Sequence, residues 1–508
     1  MYKFLFFLVF TFILASCNSN DKENNESSES IGSVKGKEIN TKKLFSFLSN
    51  VQNIVALGKI DFTQIIEKSE AKNDPLINAI IQGPLTSLEI ITDNAPIYFG
   101  LSLDKGVAIP LNPDDLLDMP LVSPEGSVFL FCSVKNQEEL VAVLKKELNL
   151  AFEKKDSFFT ASNESLELVL DEDILYIEMN LSNSNEKSSK TLFDLVNTSD
   201  EKYSTSSNEI DFSKLLLGEE DLVFAYNLEK SVSLAQESLQ LLNNEGLALL
   251  KADLTNCFNK SSIDFQKGKL VISSENILTE RMNKWTVLGK DTKEIVRKLG
   301  RENPTAAIAL NMDINELQKI VDTYLSGSFI EIGQKFNIPE IGETLESLKG
   351  NGLKKYFNGI LGVSLYMDQS FIPDFNLYAS LGNESMNMLR VPLMDIKTAA
   401  AEFKNEGEII LIKSSQKYSR QTEEEYFSDF SNFGNYPFNA FVDLSQIAWS
   451  DFFNEKQIIN ALESFTSIKL WIENDKFTTE INVQNKDQNF LAFFIQKMLK
   501  DNLSALFQ

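Results

Sequence analysis

Five times along the chain, an apolar strand-like run ends in Asp or Asn and opens into an amphipathic helix. NIVALGKIDFTQIIEKS (53–69) is the first, SVFLFCSVKNQEELVAVLKKEL (127–148) the loosest, and DLVFAYNLEKSVSLAQESL (221–239) the third. TAAIALNMDINELQKIVDTYL (305–325) and PFNAFVDLSQIAWSDFF (437–453) complete the set. At three junctions an Asp stands three positions ahead of Gln or Glu: Asp61 and Gln64, Asp313 and Glu316, Asp443 and Gln446. That spacing predicts a helix N-cap whose third residue reaches back to the cap amide. Beyond Asp313, Ile314, Leu317, Ile320, Val321 and Tyr324 recur at helical spacing and predict one buried face. Any capped amphipathic helix looks like this, but its return after an apolar strand each time points to a duplicated module without a strict period.

Between these modules the period drops to two. In SIKLWIENDKFTTEINVQ, Ile468, Leu470 and Ile472 point one way. Phe477, Thr479, Ile481 and Val483 do so after an Asn474-Asp475-Lys476 turn. ESLELVLDEDILYIEMN turns at Asp171-Glu172-Asp173, and DFQKGKLVIS at Lys267-Gly268. The pattern predicts an α+β fold of repeated strand–helix–strand–strand modules: mainly antiparallel sheets with helices packed on one face. Polar, Ser-rich stretches at 181–190 and 198–209 read as linkers, and a charged loop at 414–429 interrupts the second body. The expected organisation is a signal segment at 1–16, a flexible tether at 17–36, an N-terminal α+β domain at 37–197, a middle α+β domain at 210–395 and a C-terminal α+β module at 396–508. Near the end, NFLAFFIQKMLKDNL reads as a docking helix with Phe490, Phe493, Phe494, Met498 and Leu499 on a broad apolar side.

The start of the chain has its own logic. After Lys3, Phe4 to Leu14 is almost wholly large and apolar. The run is too short for a transmembrane helix, which takes about 20 apolar residues, and fits the core of a secretory signal peptide. Leu14-Ala15-Ser16-Cys17 then resembles the lipobox of bacterial lipoproteins. The resemblance implies cleavage between Ser16 and Cys17, a diacylglyceryl group on the Cys17 thiol and an acyl chain such as palmitate on the new amino terminus. Several buried chains hold a protein to a bilayer far more firmly than one. Asn18 to Ser33 is mostly Asn, Ser, Glu, Asp and Lys, a composition that cannot build a core and suits a tether. Asn18 differs from the Asp that often retains such proteins in the inner membrane. Asp21, Glu23 and Glu26 resemble the acidic start of some surface-exported lipoproteins. The expected location is the outer membrane, facing the periplasm or the surface.

The whole layout resembles a family of bacterial envelope lipoproteins of about 500 residues that carries only the description of a domain of unknown function. KIDFTQIIEKS, DLVFAYNLEKS and the Gly-centred KKYFNGILGVSLYMD (354–368) carry the resemblance, which covers most of the mature chain. These motifs are apolar patterns and not catalytic signatures. The resemblance implies an envelope location and no particular activity.

Composition narrows the chemistry. The 508-residue chain has a net charge of −25, which argues against nucleic acid and against broad contact with anionic membranes. Its five arginines, at 281, 297, 301, 390 and 420, form no phosphate clamp. It has no histidine, which excludes Ser-His-Asp and Cys-His catalysis in their usual forms and His-based zinc sites. Besides Cys17 there are Cys132 and Cys257, which can pair in an oxidising compartment or stay as two buried thiols, the plainer reading.

Acidic clusters at Asp114, Asp115 and Asp118, at Asp171, Glu172 and Asp173, and at Glu423, Glu424 and Glu425 match no calcium loop and read as solvated charge. With 73 acidic residues, carboxylate pairs suited to glycoside hydrolysis arise in any fold. Ser414 with Lys417 and Ser184 with Lys187 have the Ser/Lys spacing of penicillin-interacting enzymes but lack that family's partner motifs. Of three tryptophans, Trp285 and Trp471 could stand exposed as glycan platforms, whereas Trp449 is expected to pack inside its helix.

The reading is a membrane-anchored, non-catalytic binding or assembly protein with envelope protein partners and no cofactor beyond the lipid on Cys17. Glycan or small-ligand binding is the alternative, and a hydrolase the third.

Overall fold

The strand-then-helix junctions order the fold, here given by a computed structural model. It describes residues 41–70, 95–103, 126–181, 191–197, 212–238, 245–279, 287–325, 346–367, 374–388, 402–413 and 430–497, apart from a few positions within these ranges. The signal segment, Ser16, Cys17 and the tether lie outside them.

The described residues form two units, one up to Lys230 and one from Ser231 onward. The first runs α1 (Thr41–Asn50), β1 (Ile54–Ile60), α2 (Phe62–Lys68), β2 (Ile97–Leu103), β3 (Gly126–Ser133), α3 (Gln137–Leu148), β4 (Glu153–Lys155), β5 (Phe158–Ser162), β6 (Leu166–Asp171), β7 (Ile174–Asn180), α4 (Leu192–Asn197), α5 (Phe212–Leu216) and β8 (Leu222–Asn227). Every pairing is antiparallel, in the order β8–β1–β2–β3–β7–β6–β5–β4.

Helix α6 (Leu228–Ser238) crosses the boundary, and Asn227 Oδ1 caps it by accepting the Lys230 amide at 3.0 Å. The second unit continues with α7 (Glu245–Asp253), β9 (Phe258–Gln266), β10 (Lys269–Ile277), α8 (Lys293–Leu299), β11 (Ala306–Asn311), α9 (Ile314–Ile320), α10 (Gly352–Tyr356), β12 (Phe357–Tyr366), β13 (Asp374–Leu381), β14 (Glu402–Glu406), β15 (Ile409–Lys413), β16 (Phe438–Asp443), α11 (Lys456–Leu462), β17 (Phe465–Glu473) and β18 (Lys476–Val483). Its antiparallel order is β9–β10–β18–β17–β16–β11–β12–β13–β15–β14.

The units share a topology. In each, a helix precedes one strand (β1 or β11), and an Asp-capped helix follows it. That strand pairs with the next strand (β2 or β12) on one side and with a later one (β8 or β16) on the other. The expected boundaries at 210 and 396 do not separate sheets, because β8 pairs with β1, and β16 and β18 pair with β11 and β10.

The Asp side chains cap as expected, but at none of the three junctions does the third residue reach the cap amide, which Asp221 O, Val287 O and Thr305 O already take. Asp61 accepts the Gln64 amide at 3.0 Å, and the Gln64 side chain returns to its carboxylate at 2.9 Å. Asp313 accepts the amides of Asn315 and Glu316, but Glu316 does not reach back. Val287 O already takes the Asp313 amide, and Glu316 pairs with Lys319. After Asp443 the chain makes only 3-10 turns, Leu444–Gln446 and Trp449–Asp451, where a full helix is expected.

Helices do not keep to one face in the first unit. On β3, Phe129 and Phe131 meet Phe47 of α1, with ring centroids 5.9 and 4.9 Å away. Cys132, of opposite parity, packs with Leu140, Val141 and Leu144 of α3. The run VFLFC is apolar at both parities, so the strand requires cover on both sides. Among the described residues no helix is long and apolar enough to cross a membrane.

Candidate binding surface

In the second unit the two sheet faces differ sharply. One face packs on α8. Ile295, Val296 and Leu299 bury Ala307, Ala309 and Phe441, with Phe430 and Phe433 beside them. The Leu299 carbonyl, at the end of α8, accepts from Ser364 Oγ, Tyr366 Oη and Asn376 Nδ2 at 3.0, 3.2 and 2.7 Å. The same face carries the strand charges. Lys269 donates to Glu480 at 2.6 Å, and Lys469 approaches its other oxygen at 3.4 Å.

The opposite face follows from register. Ile263 and Phe265 of β9 face Ile272 and Leu270 of β10. Leu270 and Ile272 face Ile481 and Thr479 of β18, which face Ile468 and Leu470 of β17. Leu470 continues to Ala440 of β16, then to Ile308 of β11, Val363 of β12, Leu377 of β13 and Ile412 of β15. Among the described residues of these nine strands, no charged residue shares that parity. Both ends are covered: Ile410 and Ile412 are buried beside Met386 of the helix at 383–388, and Phe490 of the helix at 490–497 lies on Phe265 beside the buried Val483.

Elsewhere this apolar face is mostly half-buried, and it opens where Ile308 is 44%, Leu365 37% and Met367 42% exposed. Ile308 and Leu365 are neighbours across β11 and β12, since Val363 lies opposite Ile308 and Leu365 opposite Ala306. Its aliphatic stretch can bind hydrocarbon, whereas the far end of β9 and β10 carries Asn259, Ser261, Ser274 and Asn276, joined by side-chain hydrogen bonds.

A second apolar surface follows β16. Trp449 and Phe453 meet at a tilt with centroids 6.4 Å apart, and Phe452 and Ile458 stand 61% and 42% exposed. The Trp449 indole N–H is buried without an acceptor among the described residues. Asp451 and Glu455 flank these side chains.

The sequence-derived candidates scatter. Asp114, Asp115, Asp118, Glu172, Glu423, Glu424, Glu425, Ser184, Lys187, Ser414, Lys417 and Trp285 lie outside the described residues. Asp171 is not solvated charge: it is buried and paired with Lys43 of α1 at 2.9 Å. Trp471 is not an exposed platform. It packs against Phe430 and Tyr436, at 5.8 and 6.1 Å, on the α8 side of the sheet. Cys132 and Cys257 are both free and buried, and burial pushes the Cys132 thiol up to about 12. The docking helix is present at 490–497, where Phe490 stacks on Phe265 and meets Phe465 at a tilt.

One carboxylate pair is brought together. Glu167 and Glu178 lie directly opposite on β6 and β7. Glu178 accepts Ser127 Oγ at 2.7 Å, and Glu167 accepts the Leu192 amide at 2.9 Å. Burial raises the Glu178 carboxyl above its usual range; the Ser127 hydrogen bond opposes this, and the Glu167 charge adds to it.

Ile308, Leu365 and Met367 are absent from the candidates drawn from sequence. The available signal is that all charges in these strands share one parity.

No family model and no curated protein matches the chain. Two solved structures of TP0453 are similar over 71% of this chain. Crystal form III has 11% identity, a TM-score of 0.20 and 88% of its own chain covered. Crystal form I has 9%, 0.18 and 87%.

Proposed function

We propose that the chain is a lipid-anchored, non-catalytic binding protein of the bacterial envelope, held in the outer membrane through Cys17 and acting through protein contacts. The observation that carries the protein-contact reading is the apolar surface of the exposed Phe452, Phe453 and Ile458 beside the half-buried Trp449. Large aromatic side chains that are solvent-exposed and clustered favour burial in a partner. The acidic flank of Asp451 and Glu455 favours a partner whose apolar recess is rimmed by lysine or arginine. The test is mild crosslinking of whole cells, followed by capture of the tagged chain and mass spectrometry. A stoichiometric partner lost in the Phe452→Asp, Ile458→Asp variant supports the reading. A partner profile unchanged by that variant counts against it.

The small-ligand alternative has its own support in the uncharged face around Ile308, Leu365 and Met367. An aliphatic face favours an apolar ligand over a glycan, which would require polar partners and exposed rings.

A further inference from the structure

We propose that Glu167 and Glu178 form a proton-responsive clasp that seats α4 on the sheet of the first unit, closed when the two carboxyls share one proton and slack when both are ionised.

The ladder between β6 and β7 sets the two side chains directly opposite each other. Side chains in that relation are about 5 Å apart at Cβ, and like charges there repel. Glu178 is fixed from β3, where Phe129 lies opposite it and Ser127 Oγ donates to it at 2.7 Å. Glu167 holds a helix. Its Oε2 accepts the amide of Leu192, the first residue of α4, at 2.9 Å. With six residues α4 is too short to persist alone, and it stays by burying Leu192, Leu195 and Val196. Of the two carboxylates, the one freer to turn away is therefore the one that carries α4.

Among the described residues no cation pairs with either carboxylate. On the same face Lys43 of α1 pairs with Asp171 at 2.9 Å, and Lys155 of β4 lies over the Phe193 ring at 5.5 Å. Asp194 of α4 accepts Thr191 Oγ1 at 2.8 Å, and Tyr176 of β7 packs on Phe47 and Phe131. The neighbouring β5 presents only Thr160 and Ser162 beside the pair. A proton from solvent is what ends the repulsion. The Glu178 carboxyl then donates to Glu167, which remains an acceptor for the Leu192 amide. Burial raises the Glu178 carboxyl; the Ser127 hydrogen bond opposes this, and the Glu167 charge adds to it. A raised folded value gives stability that is fully present below the unfolded pKa of about 4.3 and lost as pH rises through the folded value. The clasp closes on acidification and loosens toward neutrality.

Hydrogen–deuterium exchange of the full chain between pH 5 and 8, read by peptide mass spectrometry and corrected for intrinsic exchange, tests this. Relative to α8, protection at 192–197 should fall by roughly threefold or more toward pH 8. Glu178→Gln should flatten that profile and keep 192–197 protected at pH 8, because an amide and a carboxylate do not repel. Glu167→Gln should do the same, and it decides the matter if the first variant misfolds. Protection of wild type that is independent of pH overturns the proposal. A profile unchanged in a folded variant also overturns it, because the titrating group then lies elsewhere. Protection lost at every pH in a folded variant does so too, since the residue is then only a brace.

Discussion

Two carboxylates on the charged sheet faces are held in opposite senses. Glu178 is raised, first by burial and then by Glu167, against the Ser127 hydrogen bond. A raised folded value contributes stability below the unfolded pKa of about 4.3 and loses it as pH rises through the folded value. Glu178→Gln should therefore raise Tm at pH 7 and change it less at pH 4, as read by thermal melts at both. A larger gain at pH 4 would contradict the assignment. Glu480 is the converse. Burial alone would raise it, but hydrogen bonds from Lys269 and Asn482 and the charges of Lys269 and Lys469 prevail and hold it low. A lowered folded value gives stability that is present above the unfolded pKa and lost as pH falls through the folded one. Glu480→Gln should destabilise at pH 7 and do so less at pH 3. Denaturant midpoints at the two pH values check this, and a pH-independent effect would show that packing, not charge, holds the residue.

At the scale of elements, β12 depends on Gly359. Its φ is +92°, the ladder with β13 shifts between Phe357 and Leu361, and an added Cβ would fall 2.1 Å from Met312 O. Gly359→Ala should cost about 1–3 kcal/mol from backbone conformation alone, and more from the collision. Urea unfolding measures it, and a neutral effect would mean that the bulge relaxes. Legibility differed in kind between elements. Caps and hairpins are local, so Asp61, Asp313, Lys267-Gly268 and the Asn474-Asp475 turn, both residues with positive φ, could be placed from the sequence. Which face of a strand is covered is not local. Alternation in SIKLWIEN marks Ile468, Leu470 and Ile472 as the side to bury. In the fold, Trp471 meets Phe430 and Tyr436 beneath α8, while the aliphatic side stays half open. The pattern gives two faces, and only the packing of α8 decides between them.

For the whole molecule, the arrangement sets two apolar features against a chain of net charge −25. Such a charge keeps a protein off anionic bilayers by itself, so stable attachment requires buried hydrocarbon. Each buried methylene contributes about 0.8 kcal/mol, and a single acyl chain binds only marginally. Chains on Cys17 would therefore dominate any attachment. Cys17→Ala should move the protein from the membrane to the soluble fraction, or leave it as unprocessed precursor, in cell fractionation with intact-mass analysis. Processed variant that still sediments with membranes like wild type would place the anchor elsewhere. A sodium carbonate wash then separates the cases. Protein released by the wash, and not retained by Cys17→Ala, Ile308→Asp, would be held peripherally through the sheet face. Protein that resists it would carry an attachment independent of both.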